Sequence, residues 1–290
     1  MMVHIGCGQL TWTNVDSSTV MEEIALAGYD GAPGPLRRDR PVEEVMAWFG
    51  TYGLKPAPPY YSARFWDPEE EASILSQPGE IARYVRGLGC SELYVAAAGM
   101  EQPVRSGVTR SERAGQVAPE DAMTVEQFAQ FGQVLGAFAN ATAAEGVASC
   151  FHPHVGTVIE TAAELDTLLA QVESDELCLG LDTGHIAWAG DDPVEVCLQH
   201  LPRVKTLHLK DVNNDVRQQG VSARWSYGQF TESGVFAELG EGMVNFPVIL
   251  TALRDQGFDG WLIVETDVTM KPTPLESATI SRQYLTTLGL

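Results

Sequence analysis

Four short apolar runs, each stopping at an imidazole or a carboxylate, constrain this chain more than any other feature. They are Val147-Ala-Ser-Cys-Phe-His-Pro-His-Val-Gly156, Leu179-Gly-Leu-Asp-Thr-Gly-His185, Val204-Lys-Thr-Leu-His-Leu-Lys-Asp211 and Trp261-Leu-Ile-Val-Glu-Thr-Asp267. Runs this short and this uniformly apolar read as strands buried on both faces, as in a parallel sheet. The C-terminal end of such a strand is where a βα-barrel keeps its chemistry.

The rest of the chain alternates in the same way. His4 to Trp12, Tyr29 to Pro33, the proline-interrupted Leu54 to Tyr61 and Glu92 to Ala98 read as earlier strands. Helical spacing follows over Val20–Leu26, Pro41–Tyr52, Glu69–Leu88, Thr124–Glu145, Ala162–Val172, Pro193–Leu201, Phe246–Gln256 and Pro274–Leu288. About eight strand–helix pairs without a linker or repeat predict an α/β fold, a TIM (β/α)8 barrel forming a single domain over residues 1–290. A doubly wound sheet would need a glycine-rich phosphate turn after an early strand, and Gly6-Cys-Gly8 lies inside its strand. Two polar stretches read as long βα loops: Glu101–Asp121, with Arg105, Arg110 and Arg113, as a lid, and Asn213–Glu241, with Trp225, Tyr227, Phe230 and Phe236.

Charge excludes some partners. Thirty-nine acidic residues against 18 basic ones give −21, a field that repels phosphate backbones, so no nucleic acid is expected. No run approaches the ~20 apolar residues of a membrane span. The start, Met1-Met-Val-His-Ile-Gly, enters a strand directly, and cytoplasmic location is the expectation. The five cysteines are scattered and lack CxxC pairs, which fits buried free thiols, with Cys7, Cys150 and Cys178 inside strands.

In a barrel the polar strand ends converge on one mouth. The convergent set is His152, His154, Asp182, His185, His208, Asp211 and Glu265; His4 and His200 lie outside it. Imidazole and carboxylate without thiolate suit Mn²⁺, Co²⁺, Fe²⁺ or Zn²⁺ in an open site. Trp12, Asn14, Tyr60 and Trp225 are candidates to line the pocket, and Lys210 and Asp211 to contact hydroxyls or to orient His208.

These motifs also carry a resemblance. Cys150-Phe-His-Pro-His-Val-Gly-Thr157, Leu181-Asp-Thr-Gly-His185, Leu207-His-Leu-Lys-Asp-Val212, Gly240-Glu-Gly-Met-Val-Asn-Phe246 and Gly260-Trp-Leu-Ile-Val-Glu265 resemble the xylose isomerase-like TIM barrels. Within that superfamily the chain is most similar to the inosose dehydratases. The resemblance implies a divalent metal, Mn²⁺ or Co²⁺, held by Glu, Asp, His and Glu from four strand ends. The last three map onto Asp182, His208 and Glu265, while the first falls on His152, with His154 as the other candidate. Pro153 stands where the dehydratases have a third histidine. Gly31-Ala-Pro-Gly34 lacks the acidic residue expected near the second strand.

An epimerase of this superfamily works with two carboxylates on opposite faces of the substrate carbon. A dehydratase needs a base for the proton α to a ketone and an acid for the departing β-hydroxyl, tasks within reach of imidazole. The resemblance therefore implies a lyase acting on a cyclic polyol ketone such as scyllo-inosose. His152, His154, His185 and Glu265 are the expected catalytic residues. The rivals are a ketose 3-epimerase or sugar isomerase, a lyase on another sugar-like substrate, and a non-catalytic polyol-binding protein. Oligomeric state stays open, a homo-oligomer included.

Overall fold

The computed structural model describes residues 3–36, 39–101 and 107–290. Strands β1 (Val3–Cys7), β2 (Gly31–Pro33), β3 (Lys55–Ala57), β4 (Tyr60–Ala63), β5 (Glu92–Ala97), β6 (Ala148–His152), β7 (Cys178–Asp182) and β8 (Val204–Leu209) belong to one parallel sheet. A short ribbon of β9 (Asp211–Val212) and β10 (Phe236–Ala237) lies apart, and β11 (Gly260–Val264) returns to the sheet. The spatial order is β3-β2-β1-β11-β8-β7-β6-β5-β4. Its two edges, β3 and β4, are consecutive in the chain and separated only by Pro58-Pro59, so the chain itself joins them and closes the barrel.

The expected single strand from Leu54 to Tyr61 is thus two half-strands. Proline has no N–H to give to a ladder. Pairing therefore breaks at Pro58-Pro59, although the Pro59 carbonyl still accepts from Tyr94 N at 2.9 Å.

Register brings the polar strand ends together. Asp182 pairs with His208 across β7 and β8, and His152 pairs with Ala96 across β6 and β5. The barrel interior is filled, not hollow. Tyr94, Trp261, Ile263 and Ala57 pack there, and the Tyr94 hydroxyl meets Thr206 Oγ1 at 2.6 Å.

Outside the sheet, the helix Val125–Ala144 opens with a capping box between Thr124 and Gln127 and buries Phe128, Phe131, Leu135 and Phe138. Those four residues follow helical spacing, and burying each side chain stabilises the fold by about 1.5–3 kcal/mol.

Three expectations about helices are corrected. Glu69–Leu88 is not one helix but two, Glu71–Leu75 and Pro78–Gly87, because Pro78 cannot donate an N–H inside a helix and serves as a first-turn residue. Thr183–Ala189 is helical although no periodicity announced it; Thr183 to Trp188 are all buried, so no polar face exists. The stretch Asn213–Glu241 is not a plain loop but holds helices Asn214–Ala223 and Tyr227–Glu232 and strand β10.

Of the expected lid, Arg105 lies outside the described residues. Arg110, farther along, is buried: its Nε donates to the Thr157 carbonyl at 2.7 Å, and its Nη2 pairs with Glu164 at 2.9 Å. That part of the stretch is packed onto the loop that follows β6. The cysteines are free thiols, buried except for Cys178, which is half-buried. Among the described residues, no helix is long and apolar enough to cross a membrane.

Candidate active site

Asp182 ends β7 and also caps the next helix. Its Oδ1 accepts from Gly184 N at 2.8 Å and His185 N at 2.9 Å. This fixes the carboxylate and leaves Oδ2 fully buried and without a hydrogen-bond partner. His208 Nδ1 lies 3.6 Å from that oxygen and 3.1 Å from Glu265 Oε2, and it too makes no hydrogen bond. Glu265 stands just past β11, held by its N–H to the Leu209 carbonyl at 3.0 Å.

Donor atoms around one ion, each ~2.1 Å from it, lie about 3.0–3.4 Å apart. The observed 3.1 and 3.6 Å are close to that spacing. Two unpartnered buried polar atoms and a neighbouring carboxylate therefore fit a divalent cation. Without one, burial opposes the charge on His208, but Glu265 and then Asp182 outweigh it and raise its pKa to about 9. Burial likewise acts against charge on Asp182, yet the Lys210 ammonium keeps its pKa well below the usual range.

His152 ends β6. Its Nδ1 donates to the Gly180 carbonyl at 2.8 Å, which leaves Nε2 as an acceptor. His154 Nδ1 makes the same kind of bond to the Val155 carbonyl at 2.7 Å. Burial, then the positive charge of His208, lowers the His152 pKa to about 3; burial, then Lys210, lowers that of His154 to about 4. Both imidazoles are neutral near pH 7. In the sequence reading either could fill the first ligand position. The structure groups His152 with Asp182 and His185, the ligand atoms lying within 4.8 Å of one another.

A cavity of about 420 Å³ opens over this set. His152, His154, His208, Glu265 and Tyr60 line it, and Gln9, Leu10 and Tyr94 complete most of the wall. Other expected residues lie elsewhere. Trp12 is buried in the apolar core, its indole N–H donated to Glu23 at 2.5 Å. Asn14 is exposed in a left-handed turn with φ 61°. Trp225 packs edge-on against Phe230, and its carbonyl accepts from Gln116. Both Asp211 carboxylate oxygens are taken by backbone amides: those of Gly240 and Gly242 at 3.0 Å and those of Val212 and Val244 at 2.9 Å. Asp211 shapes the loop over residues 240–244, and its oxygens are not turned to His208.

His185 and Lys210 sit behind the cavity wall. Lys210 is fully buried, and its Nζ donates to His185 Nε2 at 3.2 Å. That bond makes Nε2 an acceptor, so His185 is neutral, in keeping with a pKa that burial and the Lys210 ammonium hold well below the ordinary value.

Sequence reasoning assigned no role to Asp267 or Tyr227. Asp267 Oδ1 lies 2.9 Å from Lys210 Nζ, two residues past Glu265 in the segment that follows β11. Tyr227 stacks on His154 and on Trp188, at 6.1 and 4.9 Å between ring centroids. Only the fold of the 213–241 stretch brings it there.

Comparison with known proteins agrees with the fold. The xylose isomerase-like TIM barrel family model matches residues 21–286. The chain is 29% identical to the rhizopine catabolism protein MocC of Rhizobium meliloti over 278 residues, covering 92% of this chain and 82% of that one. It is 25% identical to the inosose dehydratase of Lacticaseibacillus casei over 298 residues, covering 98% and 97%. Among solved structures, the 3-keto-D-glucoside 4-epimerase YcjR of E. coli superposes with a TM-score of 0.70 at 17% identity, covering 99% of this chain and all of that one. The IOLI protein with a bound zinc atom superposes with a TM-score of 0.68 at 17% identity, covering 98% and 97%.

Proposed function

The chain belongs to the xylose isomerase-like TIM barrel family, and on that premise we propose that it is a metal-dependent dehydratase. Its substrate class would be a cyclic polyol ketone such as scyllo-inosose, a reading in line with the inosose dehydratases among its relatives. One observation carries the choice. Glu265 is the one acidic side chain on the described cavity wall, which it shares with the imidazoles His152, His154 and His208. Epimerisation by paired carboxylates needs a second acid across the substrate carbon. Elimination needs a single base and a route for the leaving hydroxyl.

Asp182, His208 and Glu265 would hold the metal, Mn²⁺ or Co²⁺ being the expected ions. A divalent ion there polarises a ketone and offsets charge that gathers on its oxygen. His154, neutral and with Nε2 free, takes the proton α to the ketone. Passing that proton to the departing β-hydroxyl balances the elimination, so water leaves and nothing else is consumed. His152, locked by its bond to Gly180, offers Nε2 to a substrate hydroxyl. Tyr60, 40% exposed at the rim with its ring 5.4 Å from that of His152, gives the polyol ring a face to rest on.

Metal-depleted protein restored with Mn²⁺ or Co²⁺ and given scyllo-inosose should develop the absorbance of an enedione. An isomer formed without loss of water would decide for an epimerase instead. Metal-dependent binding without turnover would decide for a polyol-binding protein.

A further inference from the structure

The lysine behind the cavity has surroundings that suit a metal ion better than an ammonium. Four acceptors surround Lys210 Nζ: Asp267 Oδ1 at 2.9 Å, Glu265 Oε2 at 3.0 Å, His185 Nε2 at 3.2 Å and Asp182 Oδ2 at 3.3 Å. An ammonium has three protons to give. Three protons cannot serve four acceptors, and Asp182 Oδ2, the farthest at 3.3 Å, is left without a hydrogen bond. Two of the four, Asp182 Oδ2 and Glu265 Oε2, are the same atoms that face His208 Nδ1. They bridge the His208 side and the lysine side as carboxylates bridge two ions in a dinuclear centre.

The Asp182-Thr-Gly-His185 sequence reads as a clasp for this side chain. Asp182 supplies a counter-charge, and Thr183 Oγ1 donates to the Lys210 carbonyl at 2.7 Å and accepts from its N–H at 2.9 Å. Gly184 leaves room for the lysine stem, since a Cβ there would lie 2.5 Å from Lys210 Cγ. His185 accepts from Nζ. No part of the lysine reaches solvent.

We propose that Lys210 is a built-in cation that fills a second metal position, so that the centre takes one divalent ion and not two. The inference rests on the reading of Asp182, His208 and Glu265 as a metal site. Three carboxylates then face one ammonium and one divalent ion, and the charges cancel. Without the ammonium, one divalent ion leaves the three carboxylates a net negative charge, and the vacated acceptors become free to hold a second ion.

The test is a count of ions. Metal-depleted full-length protein is dialysed against excess Mn²⁺, and bound manganese per chain is measured by mass spectrometry and by electron paramagnetic resonance. Wild type should hold one ion. Lys210→Ala should hold two, a twofold rise, with the exchange-coupled spectrum of adjacent ions. Removing His185 as well (His185→Ala in that background) should return the count to one. Should Lys210→Ala not fold, the same count on Lys210→Gln, which keeps most of the length without the charge, decides in the same way. Two ions in wild type, or one in folded Lys210→Ala, overturns the proposal. No ion in wild type would instead overturn the metal-site reading beneath it.

Discussion

Gly184→Ala is the sharpest small perturbation of this architecture. The added methyl would lie 2.5, 2.7 and 2.9 Å from Cγ, Cβ and Cδ of Lys210, where carbons in contact normally sit about 3.5–4.0 Å apart. Something must move by roughly 1 Å. The lysine cannot swing aside, because Thr183 holds its backbone and three carboxylates hold its Nζ. Overpacking of this kind costs about 1–3 kcal/mol. Alanine returns up to ~1 kcal/mol of helix propensity, less in this first turn than mid-helix. The net expectation is a loss of about 1–2 kcal/mol, or roughly 2–6 °C in melting temperature. Activity should fall further than stability, about 100-fold, because a displacement near 1 Å reaches Asp182 and Glu265 through Lys210. Gly50 is the control: it too is helical, and a Cβ there meets nothing within 4 Å. Calorimetry and turnover on both variants give the answer. Gly184→Ala behaving like Gly50→Ala, with a melting point unchanged or raised and activity intact, would refute the packing argument and the role assigned to Lys210.

Other outcomes follow from the same geometry. His154→Gln should lower kcat by about 10²–10⁴ while bound metal, read by mass spectrometry, stays at the wild-type count; loss of the metal instead would make His154 a ligand. Asp211→Ala strands four backbone amides and should destabilise the protein by about 2–4 kcal/mol in a denaturant titration, with metal count unchanged. Metal uptake should depend on pH. The metal-free His208 pKa is raised to about 9, so below that value an ion must displace a proton, and affinity should rise about tenfold per pH unit from pH 7 toward 9. Calorimetry in buffers of different ionisation heat should show about one proton released per ion at pH 7.5. A pH-independent affinity would remove His208 from the ligand set.

Much of this was legible before any coordinates. Apolar runs ending in polar groups marked β6, β7, β8 and β11, and parallel register then put Asp182 beside His208. Local signals placed the helix starts at Thr124 and Pro193. Periodicity failed where burial is all-round or the polar fraction high, hence the unexpected helices Thr183–Ala189 and Asn214–Ala223. The pocket aromatics were the weakest part of the reading. Trp12 and Trp225 look like any aromatic near a strand end, and only tertiary packing turns one toward Glu23 and the other toward Phe230. Composition could not tell Lys210 from an ordinary surface lysine; its burial follows from Gly184 and three carboxylates, one at the end of β7 and two just past β11.

The most direct test of the whole account is a crystal structure with Mn²⁺ and a non-reactive cyclic polyol ketone, phased at the manganese edge. The account predicts one ion against Asp182, His208 and Glu265, with His154 Nε2 facing the carbon next to the carbonyl. An ion held elsewhere, or a second carboxylate facing that carbon from the opposite side, would contradict it.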